Sequence, residues 1–306
     1  MLSVTQTLFQ NKFKAIKISN GILDLVCPLD FGPRILFFGF SGGPNEFYLN
    51  QHDLDSFKAD DNFRLYGGHR VWTAPENLKT TYLPDNHAIE WEQKGQSVII
   101  RTSVAAESVI AKEIEINLHP TAARVALSYR ITNRGDWALT YAPWALSVME
   151  AGGTAILPLP PRGPHPLNLL PTGSLVFWPY TDFSDPRWQS GYQYVRIQHQ
   201  ENPRQPFKIG LSAEHAWLAY ANNSNLFYKE SPVIAGANYP DRGTQSQVYS
   251  DGNFTELETL GPLELVQPGG SLTHKETWAL LDNITVPKND GDINSLILPK
   301  LKMLLD

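Results

Sequence analysis

The sequence has very little cysteine: Cys27 is the only one among its 306 residues. An internal disulfide and a thiolate metal site each need more than one cysteine, so we expect neither. Long apolar runs are also missing, since no stretch approaches the ~18 residues that a membrane-spanning helix needs. The first residues lack the basic and apolar regions of a signal peptide. These absences predict a cytoplasmic protein without a membrane partner.

Positive charge is scarce as well. The 25 Lys and Arg residues are outnumbered by 31 Asp and Glu residues, which gives a net charge of −6 and a pI near 5.8. No run of Lys and Arg is long enough to bind a phosphate backbone, so we expect no nucleic acid partner. Glycine-rich phosphate loops and the common hydrolase motifs are absent. The sequence therefore predicts no cofactor and excludes Rossmann and α/β-hydrolase folds.

What the sequence does contain is a regular series of short β-strand patterns. Asn20–Gly21 is a strong hairpin signal between two of them. Residues 50–63 are polar and aperiodic, which predicts a surface loop. The predicted strands are residues 14–19, 22–26, 34–40, 97–103, 109–118, 123–132, 137–149, 193–198, 207–211, 216–220, 226–229, 247–250 and 254–260.

Helical patterns are almost absent. Only residues 292–305 predict a helix, which Pro299 must kink or shorten. The proline-dense residues 156–171 cannot form a central strand, and strand patterns continue on both sides, so we interpret them as an excursion within one domain. The fold class is all-β: a large antiparallel β-sandwich with a short C-terminal helix.

The most informative stretch is residues 253–278. Alternation along its first strand places Phe254, Glu256, Glu258 and Leu260 on one face. Apolar neighbours desolvate a carboxylate and raise its basicity, as a binding or catalytic surface requires. The alternative is an edge strand whose glutamates only keep it soluble.

Several motifs, taken in order, resemble the galactose mutarotase-like superfamily, which includes aldose 1-epimerases and sugar-phosphate epimerases. The opening hairpin SNGILDLVCPLDFGPRILFF, the segment RLYGGHRVW and the central stretch ITNRGDWALTYAPWALSVMEAGG each have a counterpart in that family. The closest match is FTELET followed by LVQPGGSLTHKETWAL. The resemblance spans most of the chain and implies one galactose mutarotase-like domain over residues 1–306 that binds a sugar or sugar derivative.

The resemblance also implies an active site. Glu258 occupies the position of the family's catalytic base, which takes a proton from the anomeric hydroxyl while an acid protonates the ring oxygen. The family commonly has a histidine in its central motif, but the matching residues 142–146 contain none. Tyr66 stands where the family often has another histidine, and His69 follows the Gly67–Gly68 pair. We therefore expect His69 to supply the acid.

Other residues are candidates for contacts with a sugar. The arginines are expected to hold hydroxyls or an anionic group, or to form surface ion pairs, and the tryptophans to stack on a ring or to pack in the core. Glu256 is expected to raise the pKa of Glu258 or to bind a second hydroxyl. The substrate-binding candidates are Arg64, Tyr66, Arg70, Trp72, Trp144, Asp241 and Glu256.

Two other functions stay open at this point. A carbohydrate-binding protein without turnover would fit the missing central histidine. A lyase or hydrolase would need two carboxylates on either side of the scissile bond. Glu256 and Glu258 are neighbours on one strand face, which does not provide that arrangement. Nothing in the sequence indicates an oligomeric state.

Overall fold

The protein is built from three antiparallel sheets. The computed structural model describes residues 2–104, 108–212 and 215–305. The four-stranded sheet runs in the order β1 (Ser3–Phe9), β2 (Phe13–Ser19), β3 (Leu23–Pro28) and β4 (Phe37–Phe40). The seven-stranded sheet runs β12 (Ser174–Phe177), β15 (Phe207–Ser212), β18 (Ser246–Ser250), β19 (Thr255–Leu260) and β10 (Leu139–Met149), and β10 also pairs with β5 (His69–Ala74) and β20 (Glu264–Val266).

The third sheet has ten strands and faces the seven-stranded sheet across the main core. Its order is β13 (Trp188–Ser190), β14 (Tyr194–Gln198), β11 (Thr154–Pro158), β16 (Ala216–Asn222), β17 (Asn225–Ser231), β21 (Ser271–Leu281), β9 (Arg124–Asn133), β8 (Ile110–Leu118), β7 (Ser97–Thr102) and β6 (Ile89–Lys94). The helical segments are α1 (Gln51–Asp55), α2 (Pro240–Gly243), α3 (Asp290–Asp292), a π-helical turn (Ile293–Ile297) and α4 (Leu298–Leu305). The predicted large antiparallel β-sandwich with a short C-terminal helix is confirmed.

The central strands β10 and β19 of the seven-stranded sheet are buried on both faces. Ala145 of β10 and Leu257 of β19 belong to the main core between the sheets. Trp144 and Leu146, which alternate with Ala145, belong to a separate cluster with Leu260. Since successive side chains of a strand point to opposite faces, the second cluster marks the outer face of this sheet.

The strand predicted at residues 254–260 is observed as β19. It pairs with β10 on one side and β18 on the other, so it is a central strand. Glu256 and Glu258 are 8% and 0% exposed. The alternative of an edge strand with solvated glutamates is therefore wrong.

The other local predictions have mixed outcomes. The Asn20–Gly21 hairpin joins β2 and β3, with Gly21 at φ +85°. The loop predicted over residues 50–63 contains α1. The expectation that residues 156–171 avoid a central strand is wrong at its start, because β11 lies between β14 and β16. Pro158 is tolerated there because β16 pairs only with Thr154–Ile156, so no ladder bond needs the missing N–H.

The C-terminal helix accommodates Pro299 because the turn before it is a π-helix, which is wider than an α-helix. A proline ring clashes with the carbonyl four residues earlier, which here belongs to Ser295 within the π-helical turn. Ile293, Ile297 and Leu301 are buried on this segment and pack in a cluster with strands of the ten-stranded sheet. No helix in the described residues is long and apolar enough to cross a membrane.

A polar network lies inside the main core, directly behind the strands that carry Glu258. Lys229 Nζ of β17 lies 2.7 Å from Glu276 Oε1 of β21, and both side chains are fully buried. The Lys229 ammonium also donates to the carbonyl oxygens of Ala145 and Leu257, at 3.2 Å each. Burial on its own would raise the pKa of Glu276, but the Lys229 charge lowers it to about 2. The pair is therefore ionised, and the bonds from its ammonium to Ala145 and Leu257 tie the ten-stranded sheet to the seven-stranded sheet.

We expect Lys229→Met to destabilise the fold strongly, because it leaves Glu276 charged and unpaired in the core. Removing one partner of a buried pair costs about 3–5 kcal/mol in free energy of unfolding, whereas the double variant Lys229→Met/Glu276→Gln should lose less than the single one. Urea unfolding measures both. Lys275→Met, at an exposed position of β21, is the control and should be near neutral. Equal losses for Lys229→Met and Lys275→Met would contradict this account.

Candidate functional site

The candidate site lies on the outer face of the seven-stranded sheet, where strand register brings distant residues together. Glu258 of β19 stands opposite Leu146 of β10 and Gln247 of β18. Trp144 stands opposite Trp72 of β5. Because opposite residues share a face, these side chains all point away from the main core.

Glu258 is held at the centre of this face by two donors on one oxygen. Trp144 Nε1 donates to Glu258 Oε2 at 2.8 Å, and Lys208 Nζ donates to the same oxygen at 2.9 Å. Lys208 comes from β15, and its ammonium lies 4.6 Å from the Trp144 ring centroid and 4.7 Å from that of Trp178. The cation is therefore held between two indoles and the carboxylate.

The electrostatic environment makes Glu258 a stronger base than an ordinary carboxylate. Burial raises the pKa of the Glu258 carboxyl to about 7, while the Lys208 ammonium acts in the opposite direction and the charge of Glu256 adds to the rise. The expected influence of Glu256 on the pKa of Glu258 is thus present as a minor contribution. A carboxylate with a pKa near neutrality can both accept and return a proton.

Glu256 has its own cation. Arg70 Nη2 donates to Glu256 Oε1 at 2.9 Å, and the guanidinium carbon lies 4.0 Å from the Trp72 ring centroid. Arg70 is 2% exposed, so the alternative of a surface ion pair is wrong for this residue. Trp72 and Trp144 pack edge to face, with ring centroids 5.5 Å apart. Each glutamate therefore has its own cation. Both cations lie against the packed indoles of Trp72 and Trp144, which we call the aromatic floor of the site.

Asp241 joins the site through Gln247. The Gln247 side-chain amide donates to Asp241 Oδ2 and to Thr244 Oγ1, at 2.8 Å each. Asp241 adopts a left-handed backbone conformation, with φ of 51°, inside the short segment α2. Asp is one of the few residues other than glycine that tolerate this conformation, and the turn carries its carboxylate toward the sheet.

Partly exposed aromatic side chains surround the buried floor. Tyr82 packs against Trp72 with ring centroids 5.2 Å apart, and Phe63 packs against Tyr82 at 5.0 Å. On the other side, burial raises the pKa of the Tyr180 hydroxyl, and the nearby charge of Glu258 adds to the rise. The segment carrying Trp178 and Tyr180 is fixed to β15 by a hydrogen bond from Thr181 Oγ1 to the Lys208 carbonyl oxygen.

Unsatisfied polar atoms concentrate on this face. Eight buried side-chain polar atoms have no hydrogen-bond partner among the described residues, and four of the eight lie here. They are Glu258 Oε1, Gln247 Oε1, Arg70 Nε and Arg70 Nη1. A buried polar atom without a partner costs free energy, which a bound polar ligand can recover. Two acceptors and two donors within one face match a ligand that carries hydroxyl groups.

His69 lies on the opposite side of the sheet, which corrects the expectation that it supplies the acid. It stands opposite Ser147, whereas Glu258 stands opposite Leu146, so strand alternation separates them. Its imidazole is fully buried in the core network, 2.9 Å from Ser147 Oγ and 2.8 Å from Tyr129 Oη. Burial holds the pKa of His69 well below its ordinary value. The structure does not bring His69 and Glu258 together.

Tyr66 and Arg64 are also outside the site. Tyr66 is buried in a separate aromatic cluster, and its hydroxyl donates to Asn86 Oδ1 at 2.7 Å. Arg64 forms a forked pair with Asp60, at 2.6 and 2.9 Å. The structure thus assembles Glu258, Glu256, Arg70, Trp72, Trp144 and Asp241 from the predicted set.

Sequence reasoning missed Lys208, Gln247, Trp178 and Tyr180. One signal was available: Lys208 interrupts an otherwise apolar strand of sequence FKIGL, and a lysine in such a position needs a partner when it is buried. Gln247 and the aromatic residues gave no comparable signal, because only strand pairing and loop position bring them to Glu258.

Of the three comparisons with known proteins, the one with solved structures found similar folds. No protein-family model matches the chain, and no curated protein matches it. Among solved structures, a candidate aldose 1-epimerase from Klebsiella pneumoniae is similar with a TM-score of 0.59 at 12% identity, over 100% of this chain and 88% of that one. A galactose mutarotase-like protein from Clostridium acetobutylicum gives 0.55 at 9% identity, over 92% and 99%.

The fold is that of the galactose mutarotase-like proteins. A TPR-domain protein from Parabacteroides distasonis also matches, with a TM-score of 0.57 at 11% identity, over 91% of this chain. The chain spans 50% of the length of that protein. At these identities the likeness describes the fold, and the site residues have to be argued from their own geometry.

We expect the Glu258 carboxyl to titrate near pH 7 and not near 4.5, the ordinary pKa of a glutamate. NMR of ¹³C-labelled glutamate side chains can follow this signal, with Glu258→Gln used to assign it. Lys208→Met removes a cation that favours the ionised form, so the midpoint should move above 7. A midpoint near 4.5, or one that Lys208→Met leaves unchanged, would contradict the described electrostatics.

Proposed function

We propose that this protein binds a sugar on the outer face of the seven-stranded sheet and acts as an aldose 1-epimerase-like isomerase, with Glu258 as the base. The observation that carries the proposal is the state of Glu258. One carboxylate oxygen is fixed by Trp144 and Lys208, while Oε1 is buried without a partner among the described residues. Its pKa of about 7 suits a group that takes and returns a proton.

The surroundings support a sugar as the ligand. Sugar rings present apolar C–H faces that pack on aromatic rings, and hydroxyls that both donate and accept hydrogen bonds. Trp72 and Trp144 supply the aromatic surface, while Arg70 and Gln247 supply unpaired donor and acceptor atoms. We infer that the whole chain serves as one galactose mutarotase-like domain around this site.

The proposed reaction interconverts the two anomers of the sugar. Glu258 Oε1 takes the proton of the anomeric hydroxyl, whose electron pair forms the carbonyl bond at C1. The bond between C1 and the ring oxygen breaks with its electrons on that oxygen, which an acid protonates. Rotation about the C1–C2 bond then lets the ring close on the other face of the carbonyl. Because Glu258 Oε1 has no exposed surface, the sugar reaches it only when a neighbouring side chain shifts. Two partly exposed aromatic side chains lie nearby: Trp178 contacts Lys208, and Tyr180 is close enough for the charge of Glu258 to raise its pKa.

The second candidate function is a carbohydrate-binding protein without turnover. The observation that favours it is that no histidine of the described residues hydrogen-bonds to Glu258, and that His69 lies behind the sheet. Both functions predict that the sugar contacts Trp72 and Trp144, so binding alone does not separate them. Anomer interconversion does.

We expect the protein to accelerate anomer interconversion of fresh α-D-galactose, α-D-glucose or their 6-phosphates, followed by polarimetry or NMR. Glu258→Gln keeps the shape of the side chain but removes the base, so the rate should fall by about 10²–10⁴-fold. Glu264→Gln, at an exposed position of β20, is the matched control and should leave the rate unchanged.

The exchange rate, read together with sugar binding measured by tryptophan fluorescence, separates the two candidate functions. If a sugar quenches the fluorescence but the wild type shows no rate above buffer, the protein is a binding protein and the isomerase proposal is wrong. If Glu258→Gln retains the full rate, Glu258 is not the base.

A further inference from the structure

An epimerase needs an acid as well as a base, and His69 does not supply it because it lies on the other side of the sheet. The acid must therefore be a proton donor close to Glu258. Lys208 Nζ is the nearest charged donor, at 2.9 Å from Glu258 Oε2, and its side chain is 5% exposed. An ammonium carries three N–H groups. Its one hydrogen bond within the described residues goes to Glu258, so its other two N–H groups have no hydrogen-bond acceptor there, although the ammonium also lies beside the Trp144 and Trp178 rings.

The placement of Lys208 matches the geometry of an anomeric centre. The anomeric oxygen and the ring oxygen are both bonded to C1, so they are near neighbours in the sugar. Glu258 Oε1 and Lys208 Nζ are likewise neighbours, since both adjoin Oε2 of the same carboxylate. One group can therefore face the anomeric hydroxyl while the other faces the ring oxygen.

Resting on the proposed function, we propose that Lys208 is the catalytic acid, paired with Glu258 as a joint proton donor and acceptor. The anomeric O–H proton passes to Glu258 Oε1, and its electron pair forms the carbonyl bond. The bond from C1 to the ring oxygen breaks with its electrons on oxygen, which takes a proton from the Lys208 ammonium. Ring closure on the other face returns both protons, so no net oxidation or proton change occurs.

Other donors at the site fit this role less well. The Trp144 indole N–H is already committed to Glu258 Oε2, and an indole is a donor that does not exchange protons readily. Arg70 is bound to Glu256, and a guanidinium is not deprotonated in proteins. Tyr180 has its pKa raised by burial and by Glu258, which makes its hydroxyl a weaker acid. Lys208 is the donor that combines contact with Glu258 and a proton it can release.

The test compares Lys208→Met and Lys208→Arg with the wild type in the anomer-exchange assay. Lys208→Met should lower the rate by about 10²–10⁴-fold while sugar binding, followed by tryptophan fluorescence, is retained. Lys208→Arg keeps the positive charge beside Glu258 but cannot cycle a proton, so it should not restore the rate. Lys275→Met is the matched surface control and should behave like the wild type.

A split between rate and binding distinguishes a catalytic role from a structural one. Lys208→Met should lower kcat while the sugar affinity measured by tryptophan fluorescence stays close to that of the wild type, whereas a merely structural role would lower both. If wild type is active and Glu258→Gln is inactive but Lys208→Met or Lys208→Arg keeps the full rate, the Lys208 inference is wrong and the proposed function stands. If wild type shows no exchange, both are wrong.

Discussion

The buried ion pair between Lys229 and Glu276 is the interaction on which the rest of the structure depends. It joins neighbouring strands of the ten-stranded sheet, and the same ammonium donates across the main core to backbone carbonyls of β10 and β19. Those carbonyls belong to Ala145, which directly precedes Leu146, and to Leu257, which directly precedes Glu258. A charge that is costly to bury is thus used to hold the two strands that carry the site, and a sheet fixed from behind can present a precise outer face.

The outer face of the seven-stranded sheet contains two further buried ion pairs. Glu258 with Lys208 and Glu256 with Arg70 are two separate buried pairs resting on Trp144 and Trp72. Burial raises the pKa of Glu258 to about 7 in spite of the adjacent ammonium. The polar atoms that stay unpaired on this face cost free energy while they are buried, and a polar ligand bound among them would recover that cost.

Much of the site was predictable because alternation is a local property. Glu256 and Glu258 were placed on one face by the period of two, and the family resemblance singled out Glu258. The same rule shows why His69 was misassigned: it is adjacent to Arg70, so the two must point to opposite faces of β5. The sequence could not show which of them faces the site, because pairing of β5 with β10 decides that. Lys208 was missed since it is 50 residues from Glu258 in the chain.

The sequence by itself determined the all-β class, most strands, the C-terminal helix and the two-faced pattern of the strand that carries Glu258. These follow from side-chain period, turn residues and proline, which act over a few residues. Only the tertiary structure decided that β19 is central, that His69 lies behind the sheet and that Lys208 meets Glu258. Those outcomes depend on which strands pair and in what register, and such contacts join residues far apart in the chain. The motif around Glu258 therefore identified one carboxylate of the candidate site, and folding brought Lys208 to it.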